Sequence, residues 1–294
     1  MKNNKDKIAV LGSTGLIGSW VYKSFRDSGY DIIGTRYNSQ RYSNELTEVD
    51  ISDYSQLEKF INSEQPDVLV NCVGMVGMEL CGNNKEESEK ANFIGVENIF
   101  DLCKDSQTKL IHFSTIVVHN GKKPTPYTEE DNPTKRVGDL YNEQKSRAEY
   151  FINQIPDSII IRLGDIYGYK QGDIDYLGGE SFRVIYNLLK QNKEFSVYRG
   201  IQTNKTLVSD LGGLVLNLLE KDYKGKINVG GDTIENYDFA KKMKKTFNLP
   251  GKITNINPPI DYPGHKLLDL SKMNNLGIKL NSIDEGFKIL SEVL

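Results

Sequence analysis

Tyr141 and Lys145 stand four residues apart in the run Tyr141-Asn142-Glu143-Gln144-Lys145, and on a helix that spacing places both on one face. A cation beside a phenol stabilises phenolate, lowers the tyrosine pKa toward working pH and makes it a usable acid or base. A surface tyrosine and lysine produce the same pattern by chance. Upstream, Ser114-Thr115 ends an apolar run, where a hydroxyl can hold a reacting carbonyl near both the tyrosine and a cofactor. The place for a cofactor is Gly12-Ser13-Thr14-Gly15-Leu16-Ile17-Gly18, between a short apolar run and a helical pattern. Small residues there let a dinucleotide pyrophosphate approach backbone N–H groups and the positive end of the helix. A closely packed helix cap also selects glycine, so the flanking strand and helix carry weight.

Cofactor type rests on two further places. At the end of the second expected strand, Gly34-Thr35-Arg36-Tyr37 has arginine, with no acid beside it in sequence, where NAD-selective sites carry an acid. A guanidinium fork suits a 2'-phosphate, so NADPH is expected and NADH is the alternative; an exposed loop arginine is the plainer account. In Asp50-Ile51-Ser52-Asp53, Asp50 can accept from an adenine amino group or serve only as a turn residue, and Asp53 can cap the next helix. Ile51, and Cys72-Val73-Gly74 at the close of the fourth strand, complete the expected cofactor contacts.

The elements that must hold these groups alternate. Strands are expected at 7–11, 31–35, 47–49, 67–73, 109–114 and 158–163, with helical patterns at 15–28, 54–63 and 88–104 between them. Such alternation predicts an α/β protein with a doubly wound, Rossmann-like parallel sheet. Residues 1–168 form the expected dinucleotide-binding domain, and 205–230 return to it as a helix and strand. A smaller, less regular C-terminal lobe over 169–204 and 231–294 is expected to take substrate. Its aromatics Tyr176, Phe182, Tyr186 and Tyr198 can stack on a base or pack a small core, and the core is the simpler expectation.

The chain has 294 residues, 38% of them hydrophobic, which suffices for a full core. A formal charge of -3 offers no footprint for nucleic acid or an anionic membrane. The polar start at 1–6 precedes no secretory or membrane-spanning run, so the cytoplasm is the expected address. Cys72, Cys81 and Cys103 lack zinc or disulfide spacing, and His112, His119 and His265 stand apart, so no metal site is expected.

Glycine turn, strand-end Ser-Thr and YxxxK follow one another as in the short-chain dehydrogenases, and the extra C-terminal lobe resembles their extended branch. Phe113 to Gly121, Pro126 to Glu130, Ile161 to Gly168, Asn204-Lys205-Thr206 before Asp210-Leu211, and Leu268 to Lys272 resemble segments of the dTDP-4-dehydrorhamnose reductases. The resemblance implies that Thr115 orients a substrate carbonyl, Tyr141 supplies a proton, and Lys145 tunes Tyr141 while holding the nicotinamide ribose. It further implies reduction of a 4-keto-6-deoxy sugar nucleotide, and it admits a homodimer.

The departures cluster where substrate is expected. Ile116-Val117 replaces Asp-Tyr, Gly164-Asp165 replaces Thr/Ser-Trp, Lys205 replaces a proline, and Tyr262-Pro263 replaces Arg-Pro. Related dehydratases carry Asp-Glu after the threonine and bifunctional epimerase-reductases a cysteine; Ile116 is neither. Two alternatives stand beside the reductase: a sugar-nucleotide epimerase, and a cofactor-binding regulatory subunit similar to the methionine adenosyltransferase beta subunit. Intact Tyr141 and Lys145 argue against the regulatory subunit.

Overall fold

The computed structural model describes residues 6–37, 45–259, 262 and 266–294. Pro263 and His265 lie outside the described residues. The chain divides into two compact units. The first comprises Met1–His119, Pro133–Arg162 and Leu211–Ile227; the second comprises Asn120–Asn132, Leu163–Asp210 and Asn228–Leu294.

In the first unit, β1 (Lys7–Leu11), β2 (Asp31–Arg36), β3 (Thr47–Glu48), β4 (Val68–Asn71), β5 (Lys109–Thr115), β6 (Ser158–Leu163) and a later strand Gly225–Val229 form one sheet. Its order runs from the late strand through β6, β5, β4, β1 and β2 to β3, with β4–β5, β1–β4, β1–β2 and β2–β3 parallel. This is the expected Rossmann-like α/β architecture. Every residue of β4 and β6 is buried, as required of strands covered on both faces. Helices α1 (Leu16–Asp27), α2 (Tyr54–Glu64) and α6 (Leu140–Ile152) connect the strands. Asp53 caps α2 by accepting from Ser55 N and Gln56 N, worth about 1 kcal/mol.

The helix expected over 88–104 is not uniform. Between α3 (Met78–Asn83) with α4 (Lys85–Glu89) and the later α5 (Gly95–Cys103) lies a π-helical stretch, Lys90–Ile94. On one side of the sheet, Val96, Ile99, Leu57, Phe60, Ala148 and Ile152 pack with Leu69, Leu110 and Ile160.

The second unit holds β7 (Asp165–Lys170), β8 (Asp173–Gly178), α7 (Glu180–Lys190), β9 (Glu194–Tyr198) and β10 (Gln202–Leu207). After α8 (Asp210–Glu220) and β11 (Gly225–Val229), the late strand named above, come β12 (Thr233–Glu235), α9 (Asn236–Thr246), β13 (Lys252–Ile256), α10 (Ser271–Asn275) and α11 (Ile283–Ser291). One sheet runs β12-β10-β7-β8, and a second pairs β13 with β9. Residues 163–168 and 205–210 belong here rather than with the first unit, because β7 and β10 pair in parallel. Residues 120–132 also belong here, where Tyr127 bridges to Leu268. Of the four aromatics, Phe182 and Tyr186 enter the core around Tyr167, Phe239 and Phe287, whereas Tyr176 is exposed and Tyr198 meets Tyr262 edge-on at 4.7 Å.

Two departures in this unit compensate each other. Asp165 and Lys205 are register partners across β7 and β10, and Lys205 Nζ lies 2.5 Å from Asp165 Oδ2 and 2.9 Å from Asn236 Oδ1. Lys205 is fully buried, so its charge requires these partners. Among the described residues, no helix is long and apolar enough to cross a membrane.

Candidate active site

The site is built on the carboxyl ends of β1, β2, β4 and β5, all within the first unit. Gly12 leaves β1 at φ 76°, in the left-handed region, and its carbonyl accepts from Gly15 N at 2.9 Å. A Cβ on Gly18 would lie 2.2 Å from that same carbonyl oxygen, so only glycine lets α1 start this close to the turn. No side chain caps α1 and its first turn carries no acid. Its N-terminal N–H groups and dipole are therefore arranged for an anion.

Gly12, Arg36, Asp50, Ile51 and Val73 line one cleft with about 470 Å³ of open space. Ser13, Thr14, Gly15, Leu16, Ile17 and Gly18 are not in its walls. Ser13 turns inward, donating from Oγ to Val10 O at 2.9 Å. Cys72 and Gly74 flank Val73, and Cys72 N donates to Leu11 O at 3.1 Å. Asp50 Oδ1 accepts from Ser52 N at 2.8 Å and Ser52 Oγ at 2.7 Å, so this carboxylate also organises its own turn.

Arg36 does have an acidic neighbour. Glu48 is its register partner across β2 and β3, and its Oε2 lies 2.8 Å from Arg36 Nη1. The acid is absent from the local sequence because the strand pairing supplies it twelve residues later.

Thr115 ends β5, and Tyr141 and Lys145 lie one turn apart on α6, which packs against β5. Asp139 caps α6 by accepting from Asn142 N, and Asn142 Nδ2 donates to Val117 O at 2.7 Å, tying the helix start to the strand end. Tyr141 is buried, and the nearby Thr115 side chain favours its phenolate form. The spacing predicts a lowered phenol; instead burial raises it above its ordinary value, against the opposing pull of the Thr115 side chain. Lys145 Nζ is 2.7 Å from Phe113 O, to which it donates, and 3.1 Å from His112 Nε2. Burial pushes Lys145 down to about 8, against the opposing pull of Glu149 and Cys72.

Sequence reasoning missed five residues around the site. His112, read as an isolated structural histidine, lies between Lys145 and Asn71. Glu149, one turn beyond Lys145, chelates buried Arg162 with Nη2–Oε2 at 2.8 Å and accepts from Ser114 Oγ at 2.5 Å. Asn92 in the π-helical stretch accepts from Met75 N at 2.8 Å and donates to Gln144 Oε1 at 2.9 Å. Glu87 and Lys90 join the cleft wall. The YxxxKxxxE spacing was a visible signal for Glu149.

A probable low-salt glycan biosynthesis reductase, Agl14, of Haloferax volcanii is 22% identical over 291 residues, covering 96% of each chain. Methionine adenosyltransferase 2 subunit beta of Rattus norvegicus is 26% identical over 288 residues, covering 92% of this chain and 83% of its own. The dTDP-4-dehydrorhamnose reductase of Bacillus anthracis, solved in complex with NADP, superposes with a TM-score of 0.81 at 20% identity, covering 97% and 98%. With residues 6–290 matched by the profile described as RmlD substrate binding domain, the chain belongs to that family.

Proposed function

We propose that the chain reduces a 4-keto-6-deoxy sugar nucleotide, with NADPH as preferred cofactor and NADH as the alternative. The observation that carries this reading is the buried Tyr141 with Thr115 near its hydroxyl, one helical turn from Lys145 on α6, in the same unit as the β1–α1 glycine turn. The chain fits a dinucleotide: Gly18 leaves room against Gly12 O, α1 is uncapped by side chains, and the neighbouring cleft is open. The turn from Gly12 to Gly18 would hold the pyrophosphate, with Arg36, Asp50, Ile51, Cys72, Val73 and Gly74 along the remainder. When bound, the nicotinamide supplies the hydride.

Thr115 donates to the substrate carbonyl oxygen and sets it near Tyr141. As negative charge grows on that oxygen, the Tyr141 phenol transfers its proton to it, and the ketone becomes an alcohol. A raised phenol suits this direction, because it keeps its proton until the more basic alkoxide develops. The second unit, without assigned catalytic groups, is the substrate lobe.

The similarity to methionine adenosyltransferase 2 subunit beta favours a second reading, a cofactor-binding regulatory partner. Incubation of the purified protein with NADPH and dTDP-4-dehydro-6-deoxy sugars in deuterated water separates the readings. Reduction without deuterium at the carbons flanking the ketone is expected. Deuterium there above the enzyme-free control points to an epimerase, and cofactor binding without turnover points to the regulatory subunit.

A further inference from the structure

Tyr141, Lys145 and Glu149 recur at four-residue steps on α6, so they lie along one stripe of the helix. The stripe is buried against β5: Lys145 Nζ donates to Phe113 O at 2.7 Å, and Glu149 Oε1 accepts from Ser114 Oγ at 2.5 Å. From β6, the buried Arg162 guanidinium holds both Glu149 oxygens, with Nε at 3.1 and 3.2 Å and Nη2 at 2.8 Å from Oε2. A carboxylate alone with a buried ammonium can take its proton and discharge both groups. A guanidinium does not give up its proton, so Arg162 keeps Glu149 an anion. Ser114 and Arg162 together fix where that anion sits.

We propose that Glu149 is a positioning residue that supplies the counter-charge of the Lys145 ammonium, its carboxylate held in place by Arg162 and Ser114. Its bearing on catalysis rests on the proton-transfer pair proposed above, because an uncharged Lys145 would leave the Tyr141 phenolate without a cation. The groups facing Lys145 are Tyr141 and Glu149 on α6, Cys72 after β4, and His112 with the Phe113 carbonyl on β5. Burial raises the Tyr141 phenol and the Cys72 thiol well above their ordinary values, so both keep their protons near neutral pH. An imidazole is neutral or cationic and the carbonyl is only a dipole. Glu149 is the one anion in this set. Desolvation without an anion takes a buried lysine to about 5–6, whereas Lys145 falls only to about 8, with Glu149 opposing the fall.

NMR titration of the full chain labelled with ¹³Cε-lysine tests this, the Lys145 resonance being the one lost in Lys145→Met. In Glu149→Gln, which keeps the shape and removes the charge, the Lys145 midpoint is expected to fall by at least about one pH unit, tenfold in proton affinity. A midpoint that stays or rises overturns the proposal. Loosened packing acts in the opposite direction, because water reaching the ammonium restores its ordinary basicity. Ile152→Ala, a cavity on the same helix with every charge in place, should therefore leave the midpoint unchanged or raise it; a fall matching that of Glu149→Gln also overturns the proposal. If Glu149→Gln does not fold, Glu149→Gln/Arg162→Met removes both charges of the pair and should show the same fall. In the wild-type chain a midpoint at about 5–6 means that no counter-charge acts, and it overturns the proposal by itself. None of these readouts uses turnover, so full activity in Tyr141→Phe would remove the proton-transfer pair and leave the result on Glu149 standing.

Discussion

Removing the Glu149 carboxylate tests whether the buried ion pair behind the site is a structural requirement. Arg162 is fully buried and Glu149 nearly so, with Nε at 3.1 and 3.2 Å from the two carboxylate oxygens and Nη2 at 2.8 Å from Oε2. Glu149→Ala strips a desolvated guanidinium of this carboxylate, and breaking one side of such a pair costs about 3–5 kcal/mol. That is a large part of a stability on the order of 5–15 kcal/mol. Urea unfolding followed by circular dichroism and by tryptophan fluorescence measures it. The double variant Glu149→Leu/Arg162→Met removes both charges and should recover most of the loss, because an apolar pair of similar volume avoids the desolvation cost. A loss below about 1 kcal/mol for Glu149→Ala, as for an exposed pair, would refute the reasoning. So would a double variant as unstable as the single one.

Four further outcomes are expected. Tyr141→Phe should bind cofactor normally and lose about two to four powers of ten in turnover, and unchanged single-turnover rates would exclude Tyr141 as the acid. Gly18→Ala should abolish cofactor binding in calorimetry, because its Cβ would sit 2.2 Å from Gly12 O; wild-type affinity would show that the turn can open. Glu48→Gln should raise affinity for NADPH relative to NADH by about two- to fivefold, the range of an exposed charge interaction, while Arg36→Ala weakens NADPH more than NADH. Equal changes for both cofactors would remove Arg36 and Glu48 from the selection. Lys145 has a folded pKa of about 8 against an ordinary 10.5, so in that window the unfolded chain binds the extra proton and stability should rise with pH. Lys145→Met should lose that rise, and parallel stability curves for the two proteins would contradict it.

The alternating strands and helices made the first sheet legible, since period and turn residues are local properties. Tyr141, Lys145 and Thr115 were equally visible, because one helix face and one strand end position them. What escaped depends on strand pairing. Glu48 reaches Arg36 only through the β2–β3 register, Asn71 reaches His112 through β4–β5, and Asp165 reaches Lys205 through β7–β10. The last pair explains why two apparent departures occur together: replacing a tryptophan by Asp165 and a proline by Lys205 introduces opposite charges at facing positions. The inverted basicity of Tyr141 was also hidden, because the i,i+4 spacing gives proximity and says nothing about burial.

The π-helical stretch Lys90–Ile94 has a consequence for how this chain tolerates length changes. A π turn accommodates one residue more than an α turn, so α4 and α5 are out of phase by about 100°, the rotation of a single helical residue. Deleting one residue there would restore a continuous α-helix at little local cost and turn Asn92 away from Met75 and Gln144. The loop after β4 would then lose its anchor even though every strand remained in place. The segment behaves as a gearing between two helical phases, and a one-residue deletion at 90–94 should be far more damaging than one in the exposed Lys104–Gln107 connection.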